Sequence, residues 1–306
     1  MREILDKLTA IVGAGNVLQE ANMSQYTTFK VGGPAQVLVK VLNTDMLSKV
    51  WNLLQQCETG IFIIGNGSNL LVSDEGYRGV VIKLEGEFAN VTADGERIVA
   101  GAGAKLSDVC KAAFEQGLGG IEFAYGIPGT VGGAMVMNAG AYGGEMKDVV
   151  ETVTVMDKSG QISTLSNEEM KFGYRTGILK YTDYIAIQTT FRLSKADQNE
   201  IAAKMEDFIH RRMDKQPLEF PSAGSTFKRP SGNFAGKLIQ DANLAGFRVG
   251  GACVSPKHCG FIVNDKGATA SDIEHLMEIV VERVKEMSGV TLEPEVIKVG
   301  DPKCDL

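Results

Sequence analysis

Along residues 35–84 the apolar positions change period in a fixed order. A near-continuous apolar run at Ala35–Leu42 gives way to a three-to-four spacing over Asp45–Cys57, then to short runs at Ile61–Ile64 and Val80–Leu84. Continuous runs of this length predict buried strands, and the helical spacing predicts an amphipathic helix, because strand side chains alternate while helix side chains recur every 3.6 residues. This β-α-β rhythm predicts a small α/β unit with an internal parallel pair. Residues 1–12 carry charges inside an apolar pattern and predict a helix that stops at Gly13-Ala-Gly15-Asn16.

Past Leu84 the pattern shortens. Phe88–Ala93 and Arg97–Ala100 flank Asp94-Gly95, and Val149–Met156 and Gln161–Leu165 flank Asp157-Lys158-Ser159-Gly160, so both pairs predict hairpins. Lys105–Gln116 predicts a helix and Tyr184–Leu193 a long strand. Residues 85–195 therefore predict a mostly antiparallel α+β unit. A charged helix is expected at Asp197–Lys215, ended by Gln216-Pro217, with a boundary near residue 200. Beyond it are expected a Gly/Ser/Pro-rich stretch at 217–236, a helix at Phe234–Ala242 and a strand at Phe261–Asn264. A helix opened by Ser271-Asp272 and a last strand around Glu295–Val299 complete the chain. The divisions are 1–84, 85–200 and 201–306, in an α+β chain.

Composition narrows the function. The net charge of -7 argues against nucleic-acid binding through a basic field. Cys57, Cys110, Cys253, Cys259 and Cys304 are odd in number, widely spaced and without CxxC, which points to a reducing compartment. No apolar run is long enough for a membrane span or a signal peptide, so a cytoplasmic protein is expected. His210, His258 and His275 lack metal spacing, so no metal is expected; HExxH and GxSxG are absent. Glycine is the outlier, 36 residues against 8 prolines, and without a repeat this implies tight turns and close backbone approaches.

Two glycine pairs resemble the start of a dinucleotide fingerprint, Gly13-Ala-Gly15 and Gly101-Ala-Gly103. Neither completes GxGxxG, since Leu18 and Leu106 stand where the third glycine belongs, so they are expected to be turn glycines. Two later segments are richer. Ile61–Ile64 runs into Gly65-Asn66-Gly67-Ser68-Asn69-Leu70-Leu71, and a glycine turn after a buried strand can aim backbone N–H groups at a phosphate. A plain strand-to-loop turn would give the same pattern. Tyr125-Gly126-Ile127-Pro128-Gly129-Thr130-Val131-Gly132-Gly133-Ala134 continues to Asn138-Ala139-Gly140-Ala141-Tyr142-Gly143-Gly144. Such density suits a backbone lying flat against a planar ligand and a pyrophosphate, or a buried cluster of turns.

Together the two loops resemble the FAD-binding fold that includes vanillyl-alcohol oxidase and p-cresol methylhydroxylase. The resemblance narrows on further motifs in order: Thr27-Thr28-Phe29-Lys30-Val31-Gly32-Gly33, Phe172-Gly173-Tyr174-Arg175, Ala223-Gly224-Ser225-Thr226-Phe227-Lys228 and Leu292-Glu293-Pro294-Glu295-Val296. With the two loops, that order is similar to the UDP-N-acetylenolpyruvoylglucosamine reductase family over nearly the whole chain. The resemblance implies a two-subdomain FAD-binding fold followed by a C-terminal α+β substrate-binding domain.

It also implies a reaction. NADPH reduces noncovalent FAD and leaves; a UDP-sugar enolpyruvyl ether then receives hydride at its vinyl carbon and a proton at the neighbouring carbon. Arg175 would stabilise the enolate-like charge bidentately, Glu295 would share that task, and Ser225 would deliver the proton. FAD would contact Gly65, Asn66, Gly67, Ser68, Asn69, Leu70, Pro128, Gly129, Thr130, Gly132, Gly133, Asn138, Gly140 and Ala141. Lys228 would meet the diphosphate, and Tyr142 or Tyr174 the nucleotide or sugar. Only residues 176–224 separate Arg175 from Ser225, so the chain resembles the shorter type, which lacks a tyrosine-bearing loop over the diphosphate. An alcohol oxidase or dehydrogenase of the same fold, or a nucleotide-binding regulator without catalysis, remains open at this point.

Overall fold

The structure is a computed structural model that describes residues 2–300. Met1 and Cys304, which entered the readings above, lie outside those residues.

The strands are grouped in several sheets. Val17–Asn22, Pro34–Val41, Tyr77–Leu84 and Gly60–Ile64 form a four-stranded sheet in that order. Pro34–Val41 and Tyr77–Leu84 are buried almost throughout, which is why their sequence reads as continuous apolar runs. The helix Thr44–Gln55 between them starts at Asn43, whose side chain accepts the Met46 N–H at 2.9 Å.

A five-stranded sheet holds Ile162–Ser166, Val150–Met156, Ile185–Arg192, Arg97–Gly101 and Val91–Asp94, in that order and antiparallel throughout. Both expected hairpins are present. The first starts later than its apolar pattern suggested: Phe88 lies in a 3-10 turn at Gly86–Ala89, not in a strand. Gly86 is left-handed there, and its Cβ would meet the Leu42 carbonyl oxygen at 2.6 Å, so the chain turns before it can extend. The resembling pair Gly101 and Gly103 is explained by packing. Their Cβ atoms would meet the carbonyl oxygens of Phe88 and Leu84 at 2.2 and 2.5 Å.

The chain divides into two compact units, each assembled from separated segments. Among the described residues the first comprises 2–18, 38–66 and 81–210; the second comprises 19–37, 67–80 and 211–300. The second unit has its own core, with Phe29, Leu71, Phe227, Ile239, Ile262, Ile273, Leu276 and Val280 among its buried members. Its long helix, Ala270–Ser288, buries Ile273, Leu276, Met277, Val280 and Val284 on one stripe. That helix opens one residue before the expected Ser271-Asp272, because Thr269 and Asp272 form a reciprocal capping box. It closes on left-handed Gly289. In the same unit Ile297–Val299 pairs in parallel with Leu70–Val72, a short strand that the sequence pattern had merged into the glycine loop.

Candidate active site

In the first unit the two glycine loops touch. A Cβ on Gly65 would lie 2.3 Å from Thr130 Oγ1, and Asn66 Nδ2 donates to the Pro128 carbonyl at 2.7 Å. The end of the second loop is helical. Thr130 caps a short helix, Val131–Met137, that carries Gly132 and Gly133. The N–H groups of Val131 and Gly132 donate to Ala104 and Ala102 at 2.9 and 2.8 Å, and Gly133 N–H to Thr130 Oγ1 at 3.4 Å. Small side chains matter here because the helix start lies directly on residues 102–104: a Cβ on Gly132 would sit 3.1 Å from Ala102. Gly133 is exposed, and a Cβ there would meet only Thr130 Oγ1.

Asn138 ends that helix in the left-handed region and is fully buried. Its amide donates to Glu145 at 2.8 Å and to the Gly173 carbonyl at 2.9 Å, while its oxygen accepts from Lys147 N–H at 2.9 Å. Expected as a cofactor contact, Asn138 has its side chain engaged by the protein on both ends. What it holds is the turn that carries Arg175.

Gly173 and Thr176 exchange main-chain hydrogen bonds at 3.0 and 3.3 Å, leaving Tyr174 and Arg175 at the tip of a tight turn. Arg175 has φ of 55°, a left-handed conformation that costs a residue with Cβ about 1–2 kcal/mol. Such strain recurs at functional sites, where surrounding structure enforces it. The guanidinium sits 5.1 Å from the Tyr174 ring centroid and donates to the Gly140 carbonyl at 3.4 Å. Gly140 and Ala141 pair with Gly144 and Glu145 around Tyr142-Gly143, both left-handed. Tyr142 stacks on Phe208, centroids 4.9 Å apart and planes 8° from parallel.

The second unit brings other motifs together. Gly67 packs on the threonine motif: its Cβ would lie 2.1 Å from the Tyr26 carbonyl oxygen, and Thr28 N–H donates to Gly67 O at 3.3 Å. Leu70 is buried at the start of its strand, and Ser68 is half-buried in the loop. Asn69 Nδ2 donates to the Glu295 carbonyl at 3.1 Å, and Ile297 N–H returns to Asn69 O at 2.9 Å. Glu295 N–H in turn donates to Thr226 O at 2.8 Å, beside exposed Ser225. Lys228 N–H donates to Glu293 O at 2.8 Å, and their side chains form an ion pair at 3.0 Å. The first glycine loop, the serine motif and the terminal glutamate motif are thus joined by main-chain bonds. Arg175 belongs to the other unit.

Thr226 stood in the Ala223–Lys228 motif with no role assigned from sequence, and His258 was noted only as a histidine without metal spacing. Thr226 is fully buried, and its Oγ1 accepts from Ile262 N–H at 2.9 Å. His258 Nδ1 accepts from Gly260 N–H at 3.1 Å.

A family model described as the C-terminal domain of UDP-N-acetylenolpyruvoylglucosamine reductase matches residues 216–299, and one described as an FAD binding domain matches 35–166. The chain is 51% identical over 302 residues to the UDP-N-acetylenolpyruvoylglucosamine reductase of Caldanaerobacter subterraneus subsp. tengcongensis, covering 98% of this chain and 100% of that one. The chain belongs to this reductase family. It is an oxidoreductase and flavoprotein with FAD as cofactor. The crystal structure of the family member from Thermus caldophilus is similar with a TM-score of 0.79 and 37% identity, over 92% of this chain and 98% of that one. A grass pollen allergen with glucose dehydrogenase activity, 14% identical with a TM-score of 0.51 over 64% of this chain and 44% of its own, shares the fold alone. The α+β fold with an FAD-binding domain and the family's C-terminal domain agrees with the expectation from sequence.

The residues present fit FAD. Thr28 Oγ1 is buried with no hydrogen-bond partner among the described residues, next to the residues on which Gly67 packs. A buried hydroxyl left in this way costs about 1–3 kcal/mol, and a ligand at the glycine loop would satisfy it. The open face of Gly133 likewise admits close approach. Among the described residues no group of three or more His, Cys, Asp or Glu could hold a metal, and no helix is long and apolar enough to cross a membrane.

Proposed function

We propose that this chain reduces the enolpyruvyl group of UDP-N-acetyl-3-O-(1-carboxyvinyl)-glucosamine to give UDP-N-acetylmuramate, a cytoplasmic step in peptidoglycan precursor synthesis. The observation that carries the reading is the main-chain junction at Thr226, which sets Ser225 beside the Glu295 segment. The two glycine loops would hold FAD noncovalently, and the bound flavin would supply hydride transfer between NADPH and the substrate.

The chain's own residues handle charge and proton. Ser225 delivers a proton to the carbon next to the one reduced. Arg175, on its strained turn, binds the substrate carboxylate as negative charge develops there; a preorganised cation is worth most when it need not reorganise. Glu295 shares that task by donating or relaying a proton. Lys228 holds the diphosphate, exchanging Glu293 for phosphate oxygens, and Tyr142 and Tyr174 contact the nucleotide or sugar. Residues 201–306 supply the substrate-binding domain.

The test is anaerobic. NADPH should bleach the visible band of the purified yellow protein, and the enolpyruvyl nucleotide should restore it with formation of UDP-N-acetylmuramate. Acid denaturation should release free FAD, since every histidine falls after residue 200. A bleached protein that only an alcohol-derived ketone reoxidises would favour the oxidase reading. Flavin retained by the precipitate would overturn noncovalent binding.

A further inference from the structure

We propose that His258 is a positioning residue for the Ser225–Thr226 peptide, acting through Gly260. The inference rests on the reading of Ser225 as proton donor.

The hydrogen bonds run in one direction. His258 Nδ1 accepts the Gly260 N–H at 3.1 Å, which fixes the peptide plane before Gly260. The His258 carbonyl accepts the Phe261 N–H at 2.9 Å, which fixes the plane after it. The carbonyl oxygen of that second plane accepts the Thr226 N–H at 2.9 Å, and this N–H belongs to the peptide that follows Ser225. One residue therefore holds both planes of Gly260, and Gly260 holds the direction in which Ser225 leaves the chain. Preceding Ser225, left-handed Gly224 offers no comparable restraint.

The ring is built into this turn. It packs edge-on against Phe261 at 4.9 Å between centroids, and its Cε1 would lie 2.9 Å from a Cβ on Gly260 and 3.4 Å from one on Gly236. Only glycine at 260 leaves the ring its place. Burial pushes the imidazole below its ordinary value, opposed by a weaker backbone hydrogen bond, which favours the neutral ring that Nδ1 acceptance requires. Thr226 transmits the restraint because it is clamped elsewhere too: its Oγ1 takes Ile262 N–H and its carbonyl takes Glu295 N–H.

The test uses the FAD-loaded full chain in anaerobic stopped-flow, measuring flavin reduction by NADPH and flavin reoxidation by the enolpyruvyl nucleotide separately. Asparagine can present Oδ1 where Nδ1 stood, accepting the N–H two residues on, whereas glutamine reaches past it. His258→Gln should slow reoxidation about tenfold, a modest loss for a reacting group displaced by a fraction of an ångström, and leave reduction within about twofold. His258→Asn should return reoxidation to within about threefold of wild type. Gly260→Ala, whose methyl takes the ring's space, should behave like His258→Gln and carries the comparison should that variant not fold. Equal losses in the Gln and Asn variants, or unchanged reoxidation in His258→Gln and Gly260→Ala, would overturn the positioning role. Ser225→Ala is measured alongside. If it reoxidises fast, the proton-donor reading fails; if it is slow while His258→Gln is fast, only the inference about His258 fails.

Discussion

Arg175 stands on a two-residue turn in the left-handed region, whereas Ser225 precedes a segment that makes strand-like main-chain bonds to residues 260 and 293–295. The turn has few main-chain bonds of its own, so a buried side chain, Asn138, secures it through the Gly173 carbonyl. The Ser225 segment is held mainly by main-chain partners on both sides of Thr226, with His258 acting through one of them, Gly260. Irregular backbone must be over-determined by side chains, while regular backbone is positioned by its neighbours. The two kinds of support should therefore fail differently.

The largest effect expected is at the chemistry. Ser225→Ala should leave flavin reduction by NADPH within several-fold but slow reoxidation by the enolpyruvyl nucleotide by about 10²–10⁴-fold, the usual worth of a positioned proton transfer. Fast reoxidation would make Ser225 a turn residue and shift attention to Glu295 or water. Next, Asn138→Ala removes a fully buried amide and leaves the Lys147 N–H and Gly173 carbonyl without it. A loss of about 2–4 kcal/mol in urea unfolding is expected, from desolvated groups left behind. An unchanged midpoint would mean that the Arg175 turn stands by itself.

Lys228→Ala sharpens the comparison from the binding side. Its main chain stays in the Glu293 ladder, so the fold should hold while KM for the UDP-substrate rises roughly tenfold and kcat changes less, because a non-reacting diphosphate is held equally in ground and transition states. A large kcat loss at unchanged KM would move Lys228 into the chemical step.

The smallest effect concerns acid. Asp74 accepts from Ala270 N–H at 2.7 Å and from Ser271 N–H and Oγ at 2.9 and 2.8 Å, at the start of the long helix. Burial pushes its carboxyl up, but these bonds outweigh burial and hold it below the usual carboxylate range. A depressed folded value means stability that is present above the unfolded value, about 3.9, and is lost as pH falls through the folded one. Asp74→Asn should cost about 1 kcal/mol at neutral pH and nothing further at low pH, so the two unfolding curves should converge on acidification. Parallel curves would show that the carboxylate charge is not what the helix start uses.

The central strands, both hairpins and the long helices were legible in the amino-acid sequence because each is a local period: apolar runs in Pro34–Val41, turn residues at Asp94-Gly95, an i, i+3, i+4 stripe in Ala270–Ser288. The chemistry-bearing motifs were legible as residue types in order. What they do locally was not. Glycine content in 125–134 did not show a helix, yet a threonine cap and the carbonyls of residues 102 and 104 turn its end into one. Composition carries no information about which N–H a distant carbonyl will claim. That the Asn138 side chain is held by residues 145, 147 and 173 was likewise not legible, because nothing local places those residues around it. The pairing of Leu70–Val72 with Ile297–Val299 and the joining of Thr226 to residues 260 and 295 depend on segments far apart in the chain, and only the folded structure sets that register.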